Sequence, residues 1–362
     1  MKWLDDYRDP ASVKQLLTAI ATITRHPWRI MEVCGGQTHS IIKHGLDQLL
    51  PAEIELIHGP GCPVCVTPIS VIDQALQIAA QNNVVFCSFG DMLRVPGSNQ
   101  DLLSLKAQGA DIRIVYSPLD CLELAKAHPH QQVVFFGVGF ETTAPTTALL
   151  AQLAQQQQLQ NLSLLVSHAR VPPVMKALLS AKNCQVQGLL GAGHVCAIMG
   201  YHEYLSIAQC YATPIVITGF EPVDILQGLY LCIQQLEQGR HQVENQFRRV
   251  VSEAGNRVAQ QQLATVFDVV DQEWRGLGLI TNSGLALNAR FAPWNAALRF
   301  NLPKPTTPSN PLCRSGEILQ GWIKPPQCPQ FAVNCTPERP LGATMVSSEG
   351  ACAAYYRFRN HD

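Results

Sequence analysis

The sequence predicts an α/β protein with two parallel-sheet α/β domains and a smaller C-terminal module. Three observations predict it. Short β-rich runs alternate with helical segments, as in parallel βαβ units. The alternation starts afresh at Gln132, and from about residue 290 the texture becomes Pro-rich and cysteine-bearing. A chain of 362 residues also exceeds one ordinary core. The divisions that follow are residues 1–128, 129–289 and 290–362.

In the first division, residues 11–24 have helical apolar spacing and 29–34 (RIMEVC) read as a strand ending at Gly35-Gly36. A helix is expected over IIKHGLDQLL, then a strand at 54–57, a helix at 68–80 and a buried strand at 83–89. IRIVY (112–116) is a strand, followed by a helix from Pro118 to about Ala127. In the second division, VVFFGVGF is a buried strand and ETTAPTTALLAQLAQ its helix, with QQQQLQ at 155–160 a solvated helix end. Strands at 164–167, 187–190 and 214–218 alternate with helices at 174–179, in GAGHVCAIMG and in GFEPVDILQGLYLCIQQL. Residues 242–271 read as helical. VGFET and TGFEP each follow a strand, and SFGDM (88–92) is a looser echo; the likeness is too short to establish a repeat. LPKPTTPSNP marks entry into the last module.

Composition narrows the function. Hydrophobic residues make up 47% and charged residues 15%, which suits a packed core and not disorder. Lys plus Arg (26) balance Asp plus Glu (27), so no basic face for nucleic acid is expected. The opening MKWLDDYRDPASVKQLL has no apolar h-region, and no run of about 18 apolar residues occurs. The expectation is a cytoplasmic protein with no membrane partner. Thirteen cysteines, an odd number without an export signal, argue against a disulfide framework. Cys87, Cys121, Cys184, Cys196, Cys210 and Cys232 stand in apolar settings and read as small buried hydrophobes.

The remaining seven cysteines fall into patterns. Cys34 in EVCGGQTHS sits at a strand end, where parallel folds bind ligands, and His39 follows within reach. The competing reading is a buried thiol beside a structural Gly-Gly turn. Cys62 and Cys65 in GPGCPVC form a C-x2-C pair able to bind one metal or close a disulfide. No second such pair follows at zinc-ribbon spacing. Cys313, Cys328, Cys335 and Cys352, separated by 14, 6 and 16 intervening residues, argue for a closed four-thiolate site. Zinc and a 4Fe–4S cluster both fit, and spacing does not choose. Asp91, Glu141, His168, His194 and Glu221 each follow an apolar run. Helix capping is the plainer role for the two glutamates, and a satisfied core position for the histidines. Glu349, beside Cys352, reads as support for its loop.

Taken together, MEVCGGQTHS (31–40), GPGCPVCVTP (59–68), FGDMLRVPGS (89–98), GFETTAP (139–145), GAGHVCAIMG (191–200), TGFEP (218–222) and MVSSEGACAAYYRF (345–358) resemble the HypD family of NiFe-hydrogenase maturation factors. The resemblance implies two α/β domains around a cleft plus a C-terminal domain holding a 4Fe–4S cluster. It implies a HypC-type chaperone partner, a HypE-type cyanide donor, and iron carried while it becomes an Fe(CN)2CO unit. By that resemblance Cys34, Cys62 and Cys65 are cleft cysteines that hold iron transiently. Cys313, Cys328, Cys335 and Cys352 are the cluster ligands. The family pattern leads one to expect a cysteine where this sequence has Ser315, which leaves Cys313 as the local thiol.

The expected function is therefore a redox-active assembly scaffold, a monomer within a hetero-complex. The Cys62–Cys65 couple would exchange electrons with the cluster, His39 would act as acid/base or supporting donor, and Glu141 and Glu221 would line the cleft. The alternative is a thiol–disulfide oxidoreductase with a structural four-cysteine zinc site.

Overall fold

Eleven strands form where the β-branched and aromatic runs occur, in a computed structural model that describes residues 5–302 and 310–359. The Pro-rich run at 302–311 lies mostly outside the described residues, as do the first four residues of the stretch read for an export signal. In chain order the strands are β1 (Trp28–Glu32), β2 (Ile54–His58), β3 (Val84–Ser88), β4 (Ile112–Ile114), β5 (Gln132–Gly139), β6 (Leu162–Ala169), β7 (Gly188–Ala192), β8 (Ile215–Thr218), β9 (Val243–Asn245), β10 (Phe267–Trp274) and β11 (Gly278–Leu287). Among the described residues they form two sheets. One is five-stranded, ordered β2-β1-β7-β8-β9 and wholly parallel. The other is six-stranded, ordered β10-β11-β6-β5-β3-β4, parallel from β6 to β4 and antiparallel at the β10–β11 hairpin.

Both sheets are covered on both faces, which is why their central strands read as unbroken apolar runs. In the five-stranded sheet, Ile30, Leu56, Leu190 and Val216 pack against the helices Pro10–Ile23, Gly35–Lys43 and Pro222–Glu237. Its other face packs Met31, Leu189 and Ile215 under the helices Val171–Leu179, Gly193–Met199 and His202–Cys210. The six-stranded sheet is likewise sandwiched. Phe135 and Leu164 face the helices Asp120–Ala127 and Ala144–Gln156, while Phe86 and Phe136 face the helix Ile69–Ala79. Each such fully buried side chain contributes about 1.5–3 kcal/mol of transfer free energy.

The chain does not fill one sheet and then the other. It builds β1 and β2, crosses to lay down β3–β6, returns for β7–β9, and crosses again for β10 and β11. The expected division at 128/129 therefore separates strands β4 and β5 that share a sheet. The physical reason is that each βα unit reads alike, and periodicity does not say which sheet a strand joins. The expected helix over 242–271 also gives way. That stretch contains β9, the helix Arg257–Val266 and most of β10. From Val269 to Trp274 the strand alternates exposed and more buried positions, and Gly276 and Gly278 (φ +81° and +80°) make the hairpin turn after it. The helix after β1 starts earlier than expected, at the Gly-Gly itself, and stops at Gly45, whose φ is +65°. Gln156–Gln158 are exposed at the end of their helix, as a solvated end should be. Of the six cysteines read as buried hydrophobes, Cys184 is half-buried and Cys210 exposed; the other four are buried.

Two features seat the remaining chain. Trp274, at the end of β10, is buried, donates its indole N–H to Ser283 Oγ at 2.8 Å and stacks on Phe140 at 5.8 Å. The C-terminal residues carry a small apolar cluster of their own, with Ile318, Met345 and Ala351 at its centre. Gly321 (φ +73°) presses against Ile57 and Met31 of the five-stranded sheet, and Arg359 pairs with Asp47. No helix among the described residues is long and apolar enough to cross a membrane. Trp274→Ala empties the packed site beside Phe140 and should lower the unfolding free energy by about 3–5 kcal/mol in urea titrations. A loss under ~1 kcal/mol would show that the hairpin is not packed as described.

Candidate functional site

In each sheet two adjacent strands send their connections to opposite faces. β1 leads to a helix on one face and its neighbour β7 to a helix on the other; β3 and β5 do the same in the second sheet. Such switch points leave a crevice beyond the carboxyl ends of the strands. Here both crevices open on one cleft of about 530 Å³, lined by Gly61 and Val64 from one sheet, Phe89 and Thr143 from the other, and by His194 and Glu349.

Cys34 follows β1 in extended conformation (φ −148°) and caps the next helix. Its Sγ lies 3.6 Å from His194 Nδ1, which arrives from the end of β7. Burial lowers the His194 pKa to about 4, so the ring is neutral. Burial also pushes the Cys34 thiol up, with the nearby Glu349 and Glu32 carboxylates adding to it. The pair is thus a neutral thiol and a neutral imidazole, a soft donor set that gains by binding a cation. Beneath it Glu32 is fully buried and accepts from the Cys34 N–H (3.3 Å) and the Thr38 hydroxyl (2.6 Å). His58 Nδ1 bonds the same carboxyl at 2.6 Å, and its Nε2 reaches the Tyr355 hydroxyl at 3.2 Å.

Cys62 caps a single helical turn, Pro63–Val66, and its sulfur accepts the Cys65 N–H at 3.3 Å. Both are buried free thiols, and burial followed by the neighbouring Cys62 pushes Cys65 up. Glycine makes the junction possible. Gly35 N–H donates to Gly61 O at 2.8 Å, and a methyl group on Gly61 would lie 2.2 Å from Cys34 N. The Ser347–Gly350 stretch closes over this junction: Cβ atoms built on Gly35 and Gly350 would lie 2.6 Å from Glu349 Cβ and 3.0 Å from Cys65 Sγ.

Cys313, Cys328, Cys335 and Cys352 line one small cavity with Ser315, Leu341 and Thr344. Cys335 Sγ accepts the Leu341 N–H (3.4 Å), Cys352 Sγ accepts the Thr344 hydroxyl (3.2 Å), and the Cys313 thiol donates to Ser315 Oγ (3.3 Å). Donors aimed at two of the sulfurs, Cys335 and Cys352, suit thiolate ligands, and four thiols on one cavity fit a four-thiolate group. Among the described residues no three His, Cys, Asp or Glu side chains converge on one ion, so the fit rests on donor type and the shared cavity. Ser315, where a cysteine is expected, opens on the same cavity as Cys313.

The family model of HypD, described as the hydrogenase formation hypA family, matches residues 11–359. The chain belongs to the HypD family. The hydrogenase maturation factor HypD of Escherichia coli (strain K12) is 47% identical over 100% of this chain and 99% of its own length. HypD of Rhodobacter capsulatus is 47% identical over 99% and 98%. The hydrogenase expression/formation protein HupD of Azotobacter chroococcum mcd 1 is 45% identical over 99% and 97%.

In this HypD-family chain some expected site residues lie elsewhere. His39 Nδ1 bonds the Ser348 carbonyl at 3.0 Å and its ring meets Phe358 edge-on, so it ties down the C-terminal loop. Glu221 pairs with Arg8. Glu141 accepts the Val171 N–H at 2.9 Å, the first residue of the helix Val171–Leu179, while its Oε2 finds no hydrogen-bond partner among the described residues. Neither glutamate lines the cleft. His194 and Glu349, read as structural, are at the thiols instead, and Glu32 and His58 were not singled out. Only the β1–β7 pairing brings residue 194 to residue 34, and no local pattern reports it.

Burial pushes Glu141 up to about 7. Near pH 6 the folded chain keeps a proton that the unfolded chain, titrating near about 4.3, has lost. That stability is complete below about pH 4.3 and is lost as pH rises through about 7. Glu141→Gln keeps the bond to Val171 and removes the titration. Its stability relative to wild type should rise by roughly 2–3 kcal/mol from pH 4 to 8 in urea midpoints; parallel curves would contradict this.

Proposed function

We propose that this chain is a NiFe-hydrogenase maturation factor, a redox-active scaffold on which the Fe(CN)2CO unit is assembled. The observation that carries the reading is the strand-end junction where the Gly61 backbone, leading into Cys62 and Cys65, lies against Cys34, with His194 3.6 Å from the Cys34 sulfur and Glu349 over Gly35. Full-length similarity to hydrogenase maturation factors supplies the context.

Iron is the cargo. The soft sulfurs of Cys34, Cys62 and Cys65 hold it, as thiolates suit low-spin iron with strong-field ligands. Binding displaces a thiol proton to solvent, and neutral His194, 3.6 Å from Cys34, orients the sulfur. The Glu32 carboxyl holds the Cys34 backbone in place from below. Glu349 lies over Gly35 and closes the crevice against water. Cys313, Cys328, Cys335 and Cys352 hold a 4Fe–4S cluster, which when bound supplies one-electron transfer. Opening a Cys62–Cys65 disulfide consumes two electrons and two protons, the electrons coming from a low-potential one-electron carrier outside the chain. A HypC-type chaperone and a HypE-type cyanide donor are the partners, and the chain works as a monomer within that cytoplasmic complex. The rival oxidoreductase with a structural zinc accounts for Cys62 and Cys65 but leaves the Cys34–His194 pair without a role.

Cys62→Ala and Cys65→Ala should each abolish hydrogenase activity in cells that rely on this chain for maturation, while Cys210→Ser, at an exposed position, should leave it unchanged. Full activity in either alanine variant would sink the scaffold reading.

A further inference from the structure

Arg275 sits in the turn between β10 and β11, yet only 5% of it is exposed. A buried guanidinium is costly unless something uses its charge. The Arg275 N–H donates to Val66 O at 2.8 Å, and Val66 is the residue after Cys65. On the other side, Gly276 abuts Gly316: a methyl group on Gly316 would lie 2.3 Å from Gly276 O, and one on Gly276 would lie 3.7 Å from Ser315 Oγ. The hairpin tip is therefore wedged between the turn that carries Cys62 and Cys65 and the turn that carries Cys313. The guanidinium is held by Nη1–H donation to Pro96 O at 3.1 Å. Burial lowers the Arg275 pKa, and the charges that act against this are, in order, Cys313, Cys65 and Asp73.

We propose that Arg275 is the fixed positive charge that sets the electron affinity of the four-cysteine centre and links it electrostatically to the Cys62–Cys65 pair. The proposal rests on the reading that this quartet holds a 4Fe–4S cluster. With the cluster bound, one electron given up by a low-potential one-electron carrier would turn the cluster with its four thiolates from a dianion into a trianion, the carrier being oxidised by one electron. No bond forms or breaks and no proton is required. A buried cation beside that centre favours the added charge, because little water is present to screen it. Arg275 is thus a tuning residue and touches no cargo.

The test is a dithionite titration of the anaerobically purified full chain, followed by electron paramagnetic resonance, in wild type, Arg275→Gln and Arg275→Lys. R275Q should keep the wild-type iron and sulfide content but take up its electron at a more negative midpoint potential. R275K, which keeps the charge and loses the planar fork, should stay at the wild-type potential. An R275Q protein with an intact centre and an unmoved potential overturns the proposal. If R275Q does not retain its centre, R275K decides: a displaced potential there overturns the proposal as well, since a lost fork alone should change stability only. A colourless wild type holding one zinc overturns the reading of the quartet and this proposal together, whereas an iron–sulfide wild type with an insensitive potential overturns this proposal alone.

Discussion

Where β1 and β2 end, the backbone of Gly61 lies directly against that of Cys34, and the rest of the site is assembled on this contact. Gly59 N–H donates to Glu32 O and Gly35 N–H to Gly61 O, both at 2.8 Å, so the parallel pairing of the two strands continues into the loops that carry the thiols. Any side chain at 61 would push them apart. Once these loops are fixed, the other parts have one place to go. Glu349 rests on Gly35, Gly350 on Cys65, and the hairpin tip takes the Val66 carbonyl. His194 then reaches Cys34 because β7 is the other neighbour of β1.

Burial sets the chemistry of this junction. Burial holds the cleft thiols and His194 in their neutral forms, and nearby carboxylates push the thiols further up. Such a site resists loss of its protons until a positive ion arrives, and then releases them in exchange. The same low polarity gives Arg275, the one buried guanidinium among the described residues, a long electrostatic reach. Sites built for charge to enter are thus kept uncharged at rest. Stability is contributed elsewhere, by sheets whose faces are both covered and by the Trp274–Phe140 stack.

Much of this was legible in the sequence. Strands such as VVFCS and VVFFGVG are fully or almost fully buried and were evident as apolar runs. The glycines and prolines around Cys34, Cys62 and Cys65 announced close backbone approach, and the four spaced cysteines share one cavity. What failed was long-range. The sheet to which a strand belongs depends on pairing energies between distant segments, so the 128/129 division misled. The β10–β11 hairpin was hidden because most of β10 is exposed and polar, with consecutive exposed residues at Asp268 and Val269 that break the strand alternation. His39, Glu141 and Glu221 lie near motifs but bond Ser348, Val171 and Arg8, partners distant in sequence, and His194 and Arg275 likewise reach the Cys34 sulfur and the Val66 carbonyl only through tertiary packing.

The central claim is that the Cys34 junction holds iron while cyanide and carbonyl are attached. The most direct measurement is the infrared spectrum of the chain isolated without oxygen from cells that are assembling hydrogenase. Wild type should show cyanide and carbonyl stretching bands, and Cys34→Ala should lack them while retaining the iron and sulfide of its four-cysteine centre. Unchanged bands in the Cys34→Ala protein would mean that the cargo is held elsewhere.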